Sequence, residues 1–247
     1  MKRSTAAHGF NITNTPKHVG IIPDGNRRFA KRLMENPWKG HEWGNDKMKK
    51  VFGWCKECGI KHMTFYTLSK ENLNKRPKKE MDFLLKLAHG EVKEMIHDKN
   101  HFTNKNKVKV TFFGRLDLLP KELSLDMKRA MKLTKNNNRF TMNFAVAYGG
   151  RQEIVDMTKN VARAVSSGRL NPEKITEDII KSNLYINGVP DPDLIIRTSE
   201  RRLSGFLLWQ SAYAEFAFID TLWPELTKKQ FVDVIKDYSK RHRRFGK

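Results

Sequence analysis

The sequence predicts an α/β fold, a single domain on a central, mainly parallel six-stranded sheet flanked by helices. Three observations carry this. Short β-rich runs alternate with longer stretches of helical period, several runs are apolar almost throughout, and no Pro/Gly-rich linker or internal repeat divides the 247 residues. The runs His18–Pro23, His62–Ser69, Val108–Gly114, Phe140–Tyr148 and Leu194–Thr198 read as strands, with Phe216–Ile219 as a sixth. Stretches such as VGII and DLIIRT suit strands covered on both faces. Between them, Met48, Val51, Phe52 and Cys55 recur at helical spacing, and Met81, Leu84, Leu85, Ala88, Val92 and Met95 do so over a longer stretch. Ile154, Val155, Thr158, Val161, Ala162 and Val165 form a third stripe, and Phe231, Val234, Ile235 and Tyr238 a fourth. In such sheets ligands sit outside the carboxyl ends of the strands, so the chemistry is expected just after each strand.

Composition narrows the partners. Lys and Arg total 48 against 27 Asp and Glu, a net charge of +21, so anionic partners are expected: nucleic acid, phosphorylated small molecules or an acidic membrane surface. No apolar run approaches the ~20 residues of a membrane-spanning helix. The opening MKRSTAAHGFNITNTPK lacks the apolar block of a secretory signal, and residues 1–16 read as a polar tail before a domain spanning 17–247. Two cysteines exclude a disulfide scaffold and predict a reducing, cytoplasmic setting. Cys55 and Cys58 have the spacing of a redox pair, yet both extend the Met48–Val51–Phe52 stripe, which favours core packing.

The first strand runs out in HVGIIPDGNRRFAKR. Asp24 arrives at its end, Gly25 permits close backbone approach, and Asn26 is placed to cap the helix that follows. Arg27 and Arg28 fall in the first helical turn, where cations oppose the helix dipole unless an anion binds. A helix N-terminus with two guanidiniums suits a phosphate, and an adjacent Asp suits a Mg²⁺ bridging to it. The second strand leads into LSKENLNKRP, with Ser69, Asn72 and Arg76. The fifth leads into DLIIRTSERRLSGFLLWQ, with Arg197, Ser199, Arg202 and Ser204. Three basic, hydroxyl-rich loops at three strand ends offer room for two phosphorylated groups. Glu215 adds a second carboxylate at the start of an apolar run, where an unpaired charge is costly. HExxH, GxSxG and P-loop patterns do not occur, which removes the specific support for those hydrolase and nucleotide-binding chemistries.

Taken together, these loops resemble the cis-prenyltransferases, the undecaprenyl and dehydrodolichyl diphosphate synthases. HVGIIPDGNRRFA resembles the first family motif, FYTLSKENLNKRP the second and NFAVAYGGRQEIV the third. DLIIRTSERRLSGFLLWQSAYAEFAFIDTLWPEL resembles the final block, and RRFG the C-terminal element, so the resemblance runs from His18 to Gly246. It implies a homodimer with an apolar tunnel that condenses an allylic prenyl diphosphate with isopentenyl diphosphate in the cis configuration, using Mg²⁺. Asp24 is implied to bind the metal and assist departure of the diphosphate, with Glu215 as the second metal ligand. Gly25, Asn26, Arg27 and Arg28 are implied to cradle the allylic diphosphate, with Phe29 and His41 alongside. Arg197, Arg202, Leu203 and Ser204 are implied for isopentenyl diphosphate. Ser69, Lys70, Glu71, Asn72, Leu73 and Arg76 are implied around the reacting centre, where Asn72 orients the diphosphate oxygen that takes the final proton. Arg244 and Gly246 are implied to reach the partner subunit. The stretch Met81–Met95, apolar on more than one face, is the natural tunnel wall.

Four departures surround these pockets. Pro37 stands where the family has an arginine for the allylic diphosphate, with Lys39 as its nearby substitute, and Leu73 stands for an aromatic residue. Ser199 replaces a Gly-Gly pair in a loop one residue shorter, and Gly114-Arg115 replaces Gly-Asp. They bear on substrate choice, including irregular coupling of allylic units or a different acceptor. A nucleic-acid binder is the alternative from another class, motivated by the charge and by NKNKVK and KRHRRFGK. No zinc-finger, RRM or homeodomain pattern supports it, and no nucleic-acid partner is expected. The surplus charge points instead to docking on an anionic membrane surface.

Overall fold

The computed structural model describes residues 12–241. Its strands are β1 (His18–Ile22), β2 (His62–Ser69), β3 (Val108–Phe113), β4 (Phe140–Tyr148), β5 (Leu194–Thr198) and β6 (Glu215–Ile219). The helices are α1 (Asn26–Arg32), α2 (Gly40–Glu57), α3 (Lys70–Lys75), α4 (Lys78–His97), α5 (Phe102–Lys105), α6 (Lys121–Thr134), α7 (Gly150–Ser166), α8 (Glu177–Ser182) and α9 (Lys228–Lys240). The strands lie in the order β3-β4-β2-β1-β5-β6, and every pairing is parallel. Parallel strands need crossovers, and the crossovers cover both faces of the sheet. That is why these strands read as unbroken apolar runs. β4 shows it most fully, with all nine residues buried.

Alternation along the strands divides the interior. On one face Val19, Ile21, Phe65, Met142 and Phe144 join Phe52 of α2, Met95 of α4, Leu123 of α6 and Ile235 of α9. On the other, Ile22, Tyr66, Ala145, Tyr148 and Ile195 pack with Phe206 and Leu207 from the segment after β5. Beneath that second face runs a directional chain of hydrogen bonds. The Asn143 amide donates to Thr64 Oγ1 (3.0 Å), the Thr64 hydroxyl to His18 Nε2 (2.8 Å), and His18 Nδ1 to the Pro190 carbonyl (2.6 Å). Burial lowers the His18 pKa to about 4, so the ring serves this chain as a neutral imidazole.

The six strands match expectation to within one residue, with β1 ending at Ile22, β3 ending at Phe113 and β6 starting at Glu215. The third helical stripe is displaced. α7 buries Gly150, Glu153, Met157 and Val161, while Val155 is 46% exposed. Glu153 turns the helix inward, because its carboxylate accepts from the Tyr148 hydroxyl (2.6 Å), the Tyr185 N–H (2.9 Å) and the Gln210 amide (3.2 Å). Cys55 and Cys58 are free and buried, and burial pushes the Cys58 thiol up to about 11, as for a packed side chain and not a reactive thiolate. Among the described residues, no helix is long and apolar enough to cross a membrane.

Strand order also fixes where a ligand can sit. The chain leaves β1 for β2 on one side and returns as β5 on the other. The crevice outside the carboxyl ends of β1 and β5 is therefore the topological switch point of the sheet.

Candidate active site

Asp24 lies two residues beyond β1, inside that crevice. Its N–H donates to Thr198 Oγ1 (3.0 Å) and its carbonyl accepts from the Trp223 N–H (2.9 Å), which pins the turn to β5 and to the segment after β6. Gly25 follows with φ of 108°, and a Cβ there would meet the Leu222 side chain at 2.9 Å, so glycine is required. Gly25 is also the N-cap of α1, with no side-chain cap, which corrects the capping role expected of Asn26. Asn26 is instead the first helical residue. Its side chain sits over Gly44, and its Oδ1 is a buried acceptor without a hydrogen-bond partner.

The Asp24 carboxylate is held from both sides. Oδ2 accepts from the buried Arg197 at 2.7 Å, and Oδ1 from Arg28 at 3.3 Å. Arg197 also donates to Ser204 Oγ (2.7 Å) and to the Arg202 carbonyl. Arg28 reaches across to the loop after β5, where it meets Ser199 Oγ at 2.7 Å and Glu200 at 3.1 Å. Glu200 pairs with Arg202 at 2.7 Å. Ser199 and Ser204 have φ of 64° and 49°, left-handed values that non-glycine residues seldom adopt. Both hydroxyls are engaged by arginines, so the strained loop and its guanidiniums are organised together.

Arg76 enters from the opposite side, donating to Glu80 (3.0 Å) and to His41 Nε2 (3.0 Å). Arg27 lies 3.6 Å from the same Glu80, which is 2% exposed. Burial, with the charges of Arg76 and Arg27, lowers the His41 pKa to about 3. The ring is neutral and keeps its proton on Nδ1, since Nε2 accepts from Arg76. Asp24, Arg27, Arg28, Arg76 and Arg202 thus converge on one cleft, with Lys31, His41 and Glu200 on its walls.

Pro23, Asn26 and His41 belong to that cleft and also to an adjoining apolar cavity. The cavity lies between the sheet and α2, α4 and α6, lined by Leu84, Leu87 and Ala88, by Leu123 and Met127, and by Phe112 and Phe144. α4 is therefore a cavity wall as well as a core helix. Its leucines at 84, 85 and 87 are half-buried, turned to the cavity, which accounts for apolar residues on more than one face.

Other expected residues lie elsewhere. Glu215 opens β6 level with Leu194, three residues before the strand reaches the level of Arg197. At ~3.3 Å per residue that is about 10 Å along the sheet from the Asp24 end. Glu215 is paired there with Arg241 at 2.7 Å, so within this chain it does not join Asp24 as a second metal ligand. Phe29 packs edge-on against Trp43 with ring centroids 5.3 Å apart. Leu73 packs on the main core and Leu203 on the second one. Ser69 caps α3 by accepting from the Asn72 N–H (3.0 Å), Lys70 pairs with Gln152, and Glu71 and Asn72 are exposed beside them. Lys39 pairs with Glu35 at 3.4 Å, away from the cleft, and the lysine that lines the cleft is Lys31. Arg244, Gly246 and the N-terminal tail up to Asn11 lie outside the described residues. Sequence reasoning missed Lys31, Glu80 and Glu200. Only Glu80 carried a local signal, a carboxylate four residues after Arg76, which lies in extended backbone between α3 and α4.

Arginines gathered around one carboxylate, opening into an apolar cavity at the switch point of a parallel sheet, suit a ligand with an anionic head and a hydrocarbon tail, and the family that the chain matches makes it a prenyltransferase. Residues 22–246 match the family model described as putative undecaprenyl diphosphate synthase, and the chain belongs to this family. It is 47% identical over 233 residues to the tritrans,polycis-undecaprenyl-diphosphate synthase (geranylgeranyl-diphosphate specific) of Methanopyrus kandleri, covering 94% of this chain and 85% of the relative. The fold is similar to the crystal structure of lavandulyl diphosphate synthase from Lavandula x intermedia in complex with dimethylallyl diphosphate. The TM-score is 0.87 at 33% identity, covering 94% of this chain and 99% of the other. A probable undecaprenyl diphosphate synthase from Campylobacter jejuni gives 0.75 at 32% identity, over 95% and 100% of the two chains.

Proposed function

We propose that this chain ionises an allylic prenyl diphosphate, with geranylgeranyl diphosphate as primer, and condenses it with isopentenyl diphosphate in the cis configuration. Repetition builds a polyprenyl diphosphate. The observation that carries this is the wall shared by cleft and cavity, because Pro23, Asn26 and His41 border both. One amphipathic substrate can keep its head among the arginines while its tail enters the apolar space. The primer is drawn from the specificity in the name of the 47%-identical relative.

Breaking the allylic C–O bond leaves negative charge on the diphosphate and positive charge on carbon. Arg27, Arg28 and Arg76 stand where the negative charge develops, held in advance by Glu80, Asp24, Ser199 and Glu200. Arg197, Arg202 and Ser204 hold isopentenyl diphosphate on the β5 side. Its double bond attacks the carbon and forms the new C–C bond. A proton is then lost to a diphosphate oxygen oriented by Asn72, so the protein supplies no nucleophile. Mg²⁺ fits this site through Asp24, a half-exposed carboxylate among phosphate-binding groups, since Mg²⁺ takes one or two carboxylates plus substrate oxygens. Bound there, it would supply Lewis-acid stabilisation of the departing diphosphate.

The functional unit in this proposal is a homodimer. β6 is an edge strand, and Tyr213, two residues before it, and Phe218 within it are exposed, which supports a covered face. Excess charge beyond the cleft supports peripheral association of this cytoplasmic enzyme with anionic membrane.

Irregular coupling is the second reading, favoured by the likeness to lavandulyl diphosphate synthase. One assay separates the two. Purified protein is given geranylgeranyl diphosphate, labelled isopentenyl diphosphate and Mg²⁺, and products are resolved by mass. Products rising in C5 steps are expected. A product built from the allylic substrate alone, without label, would overturn chain elongation in favour of irregular coupling.

A further inference from the structure

We propose a second metal site, outside the catalytic cleft, formed by Glu91 and Glu94 of α4 and His101 at the start of α5, with the donor set of a Zn²⁺ site. The ligand-capable atoms of these three side chains all lie within 4.8 Å of one another. Glu91 and Glu94 share a helix face at i, i+3, and the chain returns from the end of α4 to bring His101 against them.

His101 is the observation that separates this cluster from an ordinary acidic surface. Its side chain is 5% exposed. Nδ1 pairs with Thr103 Oγ1 at 2.7 Å and accepts from the Thr103 N–H at 3.4 Å; as a ligand the ring would carry its proton on Nδ1, donated to that hydroxyl, and leave the Nε2 lone pair for the ion. Nε2 is buried without a hydrogen-bond partner, and faces Glu91 Oε2 at 3.5 Å. That separation is long for a hydrogen bond. It matches the edge of roughly 3.4 Å expected between two ligands of a tetrahedral ion with bonds of ~2.1 Å.

Glu91 is oriented for the role. Its other oxygen accepts from Asn45 (2.5 Å) and Lys49 (2.6 Å), which turns Oε2 toward His101. Glu94 is exposed and can swing in from solvent as the third ligand. One imidazole and two carboxylates balance a divalent charge and favour Zn²⁺ over Mg²⁺, which prefers an all-oxygen shell with several waters. Lys49 weakens the site electrostatically, and the second carboxylate offsets it. The position gives the ion a structural task. Glu91 and Met95 of α4 and Phe102 of α5 line the apolar cavity, and Glu91 lies eleven residues along α4 from Glu80, a rise of roughly 16 Å. An ion here would tie α4 to α5 at the end of the cavity remote from the arginines.

The test uses the full chain with Asp24→Asn, which removes the catalytic carboxylate, titrated with Zn²⁺ by calorimetry and with Co²⁺ by visible absorption. One equivalent is expected to bind, with a Co²⁺ spectrum of imidazole ligation and a thermal midpoint that rises with Zn²⁺. Adding Glu94→Gln, an exposed change that leaves the fold intact, is expected to weaken binding at least tenfold and cancel the rise. His101→Asn is expected to do the same. The assignment is overturned if the Asp24→Asn chain binds no Zn²⁺, or if Glu94→Gln leaves the affinity unchanged.

Discussion

Asp24 and Glu80 are two carboxylates among the same arginines, and their surroundings give them different tasks. Asp24 is half-exposed, gripped by Arg197 and Arg28, and faces the cleft. Asp24→Asn keeps the shape of the side chain and loses its charge. Turnover is expected to fall by roughly 10²–10³-fold or more, measured by product formation, with circular dichroism checking that the fold is retained. Glu80 is buried beneath Arg76, Arg27 and His41 and orients cations without facing the substrate itself. Glu80→Gln removes a buried partner and is expected to cost about 3 kcal/mol in urea unfolding. It should also raise KM for the allylic diphosphate more than it lowers kcat. The motif residues of the cleft were legible in the sequence because they follow strand ends, where a parallel sheet delivers side chains. Glu215 stands at the start of its apolar run as the sequence has it, but its position relative to Asp24 was not legible, because that depends on strand pairing. Parallel pairing with β5 puts the start of β6 away from Asp24.

At the scale of elements, α4 serves two purposes with one sequence. Met81 is buried in the core, Val92 and Met95 are buried there and also reach the cavity, and Leu84, Leu87 and Ala88 face the cavity. Ala88 is the smallest of these, so Ala88→Phe fills cavity space without adding charge. Products are expected to shorten by one or more C5 units at nearly unchanged rates of first condensation, read by mass spectrometry of the product mixture. Strands and the long helices were legible from their periodicity. α6 was not, since its buried stripe holds two large apolar residues, Leu123 and Met127, beside Ala130 and Thr134 in a run rich in charge. The face of α7 was misjudged for a related reason. Glu153 is buried by hydrogen bonds that form only once Tyr148, Tyr185 and Gln210 are assembled around it.

The whole molecule joins buried, uncharged histidines to an excess of positive charge, and pH acts on the two differently. His18 and His41 bind protons more weakly in the folded chain, near pKa 4 and 3, than the ordinary 6.5 of an exposed imidazole. The unfolded chain therefore takes up more protons on acidification. Their contribution is whole above pH 6.5 and is lost as pH falls toward 4 for His18 and 3 for His41. The thermal midpoint should stay flat from pH 8 to 7 and drop below 6.5, with His18 alone contributing about 3 kcal/mol across its window. His18→Gln should flatten that slope in melts recorded across the range. The chain's net charge of +21 sets a separate expectation: liposome flotation should depend on anionic lipid and weaken with salt. Flotation indifferent to lipid charge would contradict membrane docking. The common border of Pro23, Asn26 and His41 has a kinetic meaning as well. A lengthening hydrocarbon anchored in the cavity gains hold with every unit added, while its charged end is presented again to the same arginines. Dissociation of intermediates then slows as they grow, so the enzyme should be processive, and its product spectrum should be narrow even when primer is scarce.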